Sequence, residues 1–291
     1  MAPARQRLDA RRWHFQHGPI DLVVEAFGDE RTAADACERG WRRFETVLDE
    51  LVAELALLRQ PVEQATAVTG AVARRMIAAC SPYRSLFITP MAAVAGAVAD
   101  EILGAMLAAP AASVTKAYVN NGGDIALHLA PDESLRVGVV ADIDRATRHG
   151  HRIPLDGRFE VTATIPVRGV ATSGWRGRSW SLGVADSVTV LAATGAAADA
   201  AATMIANAVD IEHSAIERRR ACDVDDDTDL GERLVTVAVG PLPDDAVEAA
   251  LDNGATRAQS LVDGALVWGA VLALQGRHRV VGGVRAALQR A

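Results

Sequence analysis

The chain has 291 residues, half of them hydrophobic but only 4 % aromatic, and a formal net charge of −7 at pH 7. Such a composition supports a substantial core packed through Ala, Val and Leu, and its acidic balance speaks against nucleic-acid binding, which needs a basic face. No apolar run approaches the ~20 residues of a membrane span, and three scattered cysteines, Cys37, Cys80 and Cys222, form no CxxC pair, so neither a disulfide framework nor a structural zinc site is expected.

The first residues, "MAPARQRLDARRWHF", are basic but lack the apolar stretch of a secretion signal. The expectation is a cytoplasmic protein with buried, reduced thiols and no membrane partner. Residues 13–27 read as two short strands around Gly18-Pro19. Trp41, Phe44, Leu48, Leu51, Leu55 and Leu58 recur at spacings of three and four, which predicts a helix over 32–58 that stops before Pro61. A second helix over 64–80 would place Val68, Val72, Met76 and Cys80 on one face.

Residues 90–109 read as a helix crowded with Ala and Gly. Gly96 and Gly104 lower its helix propensity, and small residues let another backbone approach closely. "AYVNNGGDIALHL" predicts strand, turn, strand; 135–142 is a further strand, and "RFEVTATIPVRGVATSG" supplies two more. "SVTVLAA" is β-rich and feeds a helix over 196–209. Residues 218–233 read as a charged, solvated connector whose aspartates lack EF-hand spacing. A strand "LVTVAVG", a helix over 244–264 and a hairpin over 264–282 close the chain. Helices and strands mix without strict βαβ alternation, so the expected class is α+β, with mixed sheets and packed helices in a single domain, 1–291.

Three stretches carry candidate chemistry. In "NNGGD", Gly122 and Gly123 permit positive φ, and Asn120 and Asn121 tolerate left-handed geometry. Such a turn either presents successive main-chain N–H groups to a small anion or is an ordinary hairpin corner, and Asp124 follows it. Thr172, Ser173 and Gly174 follow a strand, with Arg176 and Arg178 close behind. Hydroxyls, amides and cations together suit a phosphate or carboxylate, although a plain surface loop would look the same. Asp199 and Thr203 lie four apart on a predicted helix, so both face one side. They either share a hard divalent cation or act within their own helix, the acid offsetting its dipole and the threonine bonding its backbone. Of the histidines, His213 is the best acid/base candidate; His14, His17, His149 and His151 lie elsewhere, and an exposed helix-end residue is the alternative reading of His213.

The order of these pieces resembles the ApbE family, the FAD:protein FMN transferases. "AVAGAVADEIL", "VNNGGDI", "TSG", "SVTV" and an "AD…T" helix follow in that family's order across residues 92–209. The chain is also similar, over nearly its whole length, to an uncharacterised ApbE-like family carrying "NNGGDIAL", "ATSG", a G-x-S-x-S-x-G-x-AD loop and a late "LQG". The resemblance implies an ApbE-like fold with a motif core at about 90–210. It further implies magnesium held by Asp199, Thr203 and a backbone carbonyl near Ala95, and a bound FAD or other flavin. The anion would be positioned by the Gly122-Gly123 turn and the Ser173-Gly174 loop, with Asp124 or Asp100 orienting substrate. One departure stands out: between "TSG" and "SVTV" the flavin transferases carry H-x-x-D-P-x-T-G, whereas "WRGRSWSLGVAD" holds no histidine. Three readings follow: a metal-assisted enzyme acting on a phosphorylated cofactor, a hydrolase or other small-molecule catalyst without flavin, or a non-catalytic ligand-binding protein. The small-residue helix and the apolar C-terminal hairpin also suggest a homodimer.

Overall fold

A computed structural model describes residues 2–65, 67–108, 114–139, 157–177 and 179–290. In chain order these form β1 (Ala4–Arg7), β2 (Arg12–His17), β3 (Ile20–Phe27), α1 (Glu30–Ala53), α2 (Leu55–Leu58), α3 (Ala71–Cys80), α4 (Val94–Met106), β4 (Lys116–Asn121), β5 (Asp124–Leu129), β6 (Ser134–Val139) and β7 (Gly157–Thr162). They continue with β8 (Gly169–Ser173), β9 (Ser187–Ala192), α5 (Gly195–Ala208), β10 (Ile216–Arg220), α6 (Ala221–Val224), β11 (Leu234–Val239), α7 (Asp244–Asp263), β12 (Gly269–Leu274), β13 (Arg277–Gly282), α8 (Val284–Ala287) and β14 (Leu288–Arg290). The class is α+β with antiparallel pairing, as the sequence predicts. The residues group into two compact units, each assembled from three stretches of chain.

The first unit comprises Met1–Leu135, Thr162–Ala171 and Ala192–Ala200. Its strands follow the order β1-β2-β3-β4-β5-β8, and β5 meets β8 through Ile125↔Val170 and Ala126↔Gly169. β3 alternates strictly, turning Ile20, Leu22, Val24 and Ala26 inward, the period-2 pattern of a sheet with one buried face. Against that face Phe15, Trp41 and Phe44 form an aromatic cluster, with Phe15 5.2 Å from Trp41 edge-on and 5.6 Å from Phe44. α4 packs on β4, β5, α1 and α3. Glu101 ties those helices together, accepting from Arg43 Nε at 2.9 Å and Arg75 Nε at 3.0 Å.

The long helix expected over 32–58 is broken at Glu54, and the physical reason is a cap. Glu54 takes a non-helical conformation, and its carboxylate accepts from the Gly70 amide at 3.1 and 3.2 Å, ahead of α3. Gly70 has no side chain to cap α3, so a carboxylate from elsewhere satisfies the donor. This cap also starts α3 at Ala71 rather than 64, leaving Val68 outside it. Helix 90–109 begins instead with a 3₁₀ turn, Pro90–Ala93, before α4. β1 was not legible as a strand: all four of its residues are exposed.

The second unit comprises Arg136–Val161, Thr172–Leu191 and Ala201–Ala291. β12 pairs antiparallel with β9 and β13, and each of its six residues is buried. α7 covers β12 and β13, where Arg277 pairs with Asp244 at 2.7 Å and Arg279 with Asp252 at 2.8 Å and with Glu248. The connector 218–233 is not all loop: β10 pairs with β11, and α6 follows it. Three consecutive arginines, Arg218, Arg219 and Arg220, hide the strand, because their charge masks apolar periodicity; Arg218 pairs with Asp210. β6, β7 and β14 form a small sheet. The part of the predicted strand 135–142 beyond 139 lies outside the described residues. No helix among the described residues is long and apolar enough to cross a membrane. The thiols of Cys37 and Cys80 are buried, whereas that of Cys222 is only partly buried.

Candidate functional site

In the first unit, β4 and β5 pair Asn121 with Asp124, which leaves Gly122-Gly123 as a two-residue turn. Both glycines have positive φ, +65° and +118°, the geometry that matches the right-handed twist of a tight hairpin. The Gly123 amide donates to Asn120 Oδ1 at 2.8 Å, so it is spent inside the turn rather than held out to an anion. The hairpin therefore accounts for the glycines. Asn121 does something different. It is buried, and its Nδ2 donates to the Ala95 carbonyl at 3.1 Å, tying the end of β4 to the first turn of α4.

That turn has no cap of its own, since its N-cap is Ala93, which offers no side-chain oxygen. Asp199 of α5 serves instead: the Gly96 amide donates to Asp199 Oδ2 at 2.9 Å. The exchange is mutual. Asp100 of α4 accepts from the first two amides of α5, Gly195 N to Oδ1 and Ala196 N to Oδ2, both at 2.8 Å. Ala197 N donates to Thr194 Oγ1 at 3.1 Å, and Ala198 N to the Thr194 carbonyl at 3.1 Å, so every N–H of the first turn of α5 has a partner. The two helix starts touch without side chains. A Cβ on Gly96 would lie 2.2 Å from the Gly195 carbonyl oxygen, and one on Gly195 would lie 2.9 Å from that of Gly96.

Two positive helix ends thus meet at two carboxylates. Burial still dominates the titration of both. It raises the Asp199 carboxyl well above its ordinary value; Asp124 and Asp100 push the same way, and the Gly96 and Ala95 amides oppose. Asp100 is raised by burial against the pull of Ala196, Gly195 and Arg75. Asp199 is nevertheless only partly covered in surface area, as is Asp124. The "NNGGD" corner and Asp199, some eighty positions apart in sequence, therefore meet within one unit. Asp100, a candidate for orienting substrate, has both oxygens engaged by amides.

The oxygen set suits a hard cation. Asp199 and Asp124 are like charges within interaction range, and the Ala95 carbonyl, in the same turn as the Gly96 amide that Asp199 accepts, is held by Asn121 Nδ2. No group of three or more His, Cys, Asp or Glu among the described residues forms a metal cage. Thr203 follows Asp199 by four residues on α5, in the stretch belonging to the second unit, and is partly buried.

The other candidates belong to the second unit. Thr172 Oγ1 bonds Thr189 Oγ1 at 2.9 Å, and Ser173 is partly buried. Gly174 is required by space, since a Cβ there would lie 2.5 Å from the Asp186 carbonyl oxygen. Arg176 stacks 4.8 Å over Trp175, and its Nε lies 3.4 Å from Asp186 Oδ1, so its charge is met by an acid. Asp186 Oδ2 also accepts from the Gln275 amide at 2.6 Å, and the Gln275 side chain bridges Leu242 N and the Gly240 carbonyl. The "AD" and "LQG" motifs thus meet in one structural joint, which sequence reasoning did not anticipate. His213 Nδ1 accepts from Ala215 N at 3.1 Å, so one ring nitrogen holds the turn after α5. Arg178, His149 and His151 lie outside the described residues.

A family model described as AbpE bacteria matches residues 5–280. A UPF0280 protein of Methanopyrus kandleri is 33 % identical over 223 residues, covering 75 % of this chain and 83 % of that protein. A second UPF0280 protein, of Methanosphaerula palustris, is 33 % identical over 202 residues, covering 68 % and 77 %. Among solved structures, the ApbE protein of Thermotoga maritima aligns over 99 % of both chains with a TM-score of 0.44 and 11 % identity.

Proposed function

The chain belongs to the family described as AbpE bacteria, and on that premise we propose that it binds a small phosphorylated ligand together with a hard divalent cation held by Asp199. The observation that carries this reading is the Asp199–Asp124 pair: two carboxylates of like charge, one of them strongly raised by burial, beside an oriented carbonyl. Natural folds avoid leaving such a pair uncompensated, and perturbed acids cluster where a site has work to do. Asp199 and Asp124 would hold the ion, with the Ala95 carbonyl, on the family resemblance, as a further oxygen. When bound, a divalent cation offsets negative charge that develops on phosphate oxygens. The protein's own residues do the positioning. The Gly96 amide fixes one Asp199 oxygen, Asn121 aims the Ala95 carbonyl, and Asn120 locks the corner that carries Asp124.

Flavin is the ligand that the ApbE resemblance implies. Thermal unfolding with Mg²⁺ or Mn²⁺, alone and with FAD, tests binding. Saturation at about a hundred times the dissociation constant stabilises by roughly 2.7 kcal/mol. Asp199→Asn is expected to lose the cation effect, and FAD with Mg²⁺ and an acceptor protein is expected to release AMP. No cation-dependent stabilisation would overturn the proposal. A second reading, a non-flavin catalyst or ligand-binding protein on the same site, is favoured by one observation: Arg176 is already paired with Asp186 in an interval without histidine. Cation-dependent stabilisation by other phosphates or carboxylates, with no response to FAD, would select it.

A further inference from the structure

The mutual capping of α4 and α5 has a consequence for Asp199 that neither helix has alone, and it deepens the reading above, on which its functional meaning rests. We propose that Asp100 is a positioning residue for Asp199. By gripping the Gly195 and Ala196 amides, Asp100 fixes where α5 begins, and hence where the carboxylate four residues further on is presented.

Three observations carry this. First, Asp100 engages both amides with separate oxygens at equal 2.8 Å lengths, a fork that fixes orientation as well as distance. Second, the start of α5 has no room to slide. A Cβ on Gly96 would lie 2.2 Å from the Gly195 oxygen, and one on Gly169 of β8 would lie 2.0 Å from the Thr194 carbonyl, so backbone closes on it from two sides. Third, the turn of α4 that carries Asp100 is itself anchored, because the adjacent Glu101 is held by Arg43 and Arg75. Arg75 and Glu101 therefore hold α4, α4 holds the start of α5 through Asp100, and α5 returns Asp199 to the Gly96 amide. The loop of contacts closes on itself, so loosening one cap should loosen the other. Two independent caps would not behave so.

Backbone amide exchange in the full chain reads this coupling without any ligand. In Asp100→Asn one of two charge-assisted bonds is lost and a donor faces a donor, so exchange at Gly195 and Ala196 should accelerate about tenfold or more. The proposal requires that Gly96, whose partner is Asp199 and not Asp100, accelerates as well, beyond any change at Leu22 and Val24 in β3. Unchanged protection at Gly96 would overturn it. Should Asp100→Asn not fold, Asp199→Ala, which takes the acceptor away from the Gly96 amide, reads the same coupling in reverse: faster exchange at Gly195 and Ala196 supports the proposal, and unchanged exchange there overturns it. A Mn²⁺ titration followed by electron paramagnetic resonance separates this inference from the functional reading. If the wild type binds, Asp100→Asn should weaken binding about tenfold, and unaltered binding counts against Asp100. If the wild type binds no Mn²⁺, the functional reading falls while amide exchange still decides the coupling.

Discussion

Two glycines in α4, Gly96 and Gly104, look alike in sequence and should respond oppositely to alanine. At Gly104 the nearest atom to an added Cβ is Arg75 Nη2 at 3.9 Å, so Ala fits and stabilises by about 0.5–1 kcal/mol through helix propensity. At Gly96 the same Cβ would lie 2.2 Å from the Gly195 oxygen and 2.4 Å from its carbonyl carbon, both backbone. Restoring ordinary contact at ~3.4 Å requires the two helix starts to separate by roughly 1.2 Å. The bonds Gly96–Asp199, Gly195–Asp100 and Ala196–Asp100, now 2.8–2.9 Å, would then stretch out of range. Leaving two buried carboxylates short of donors costs about 1–3 kcal/mol each. Against a propensity gain of about 1 kcal/mol, the net loss is about 1–5 kcal/mol, or a fall in Tm of roughly 2–10 °C. Thermal and urea unfolding of both variants beside the wild type measure this. A neutral or stabilising Gly96→Ala would refute the argument that backbone contact, rather than chance, placed that glycine.

Asp199→Asn retains an acceptor for Gly96 but removes a carboxyl whose folded pKa lies above its unfolded value. Such a group contributes stability only at low pH, lost as pH rises through the folded value; the variant is therefore expected to be more stable than the metal-free wild type at pH 8 and no more stable at pH 3. A variant destabilised at pH 8 would contradict this. Glu101 behaves oppositely: burial works to raise it, but the bonds from Arg43 and Arg75 prevail and hold it below 4.5. Its contribution is present above that value and lost as pH falls, so Glu101→Gln should cost about 1–3 kcal/mol at pH 7 and little below pH 3. Burial pushes the Cys37 thiol up to about 11, and Cys80 is buried too. Iodoacetamide at pH 8 should accordingly label Cys222 alone in the folded protein, as mass spectrometry of the native and unfolded chain would show.

Much of the architecture was legible because periodicity reports burial. The two strands over 13–27, the "NNGGD" corner between two strands and the apolar hairpin over 264–282 all reappear as read. Asp199 was legible as a candidate from the order of motifs. Where sequence misled, a partner elsewhere in the chain had overridden a local signal: Glu54 leaves its helix to cap α3, and the arginine-rich β10 is held as a strand by its pairing with β11.

From the residues alone came the class of fold, the hairpins, the glycine-rich helix and the suspicion of an acid-bearing site, since each depends on neighbours a few positions away. Tertiary structure decided what those residues are for. Ala93 lacks a cap and Asp199 lies 103 positions from the amide it accepts; Asp100 finds its donors 95 and 96 positions on. A hydrogen bond between groups so far apart leaves no periodic trace in the chain, because only folding brings its two ends together.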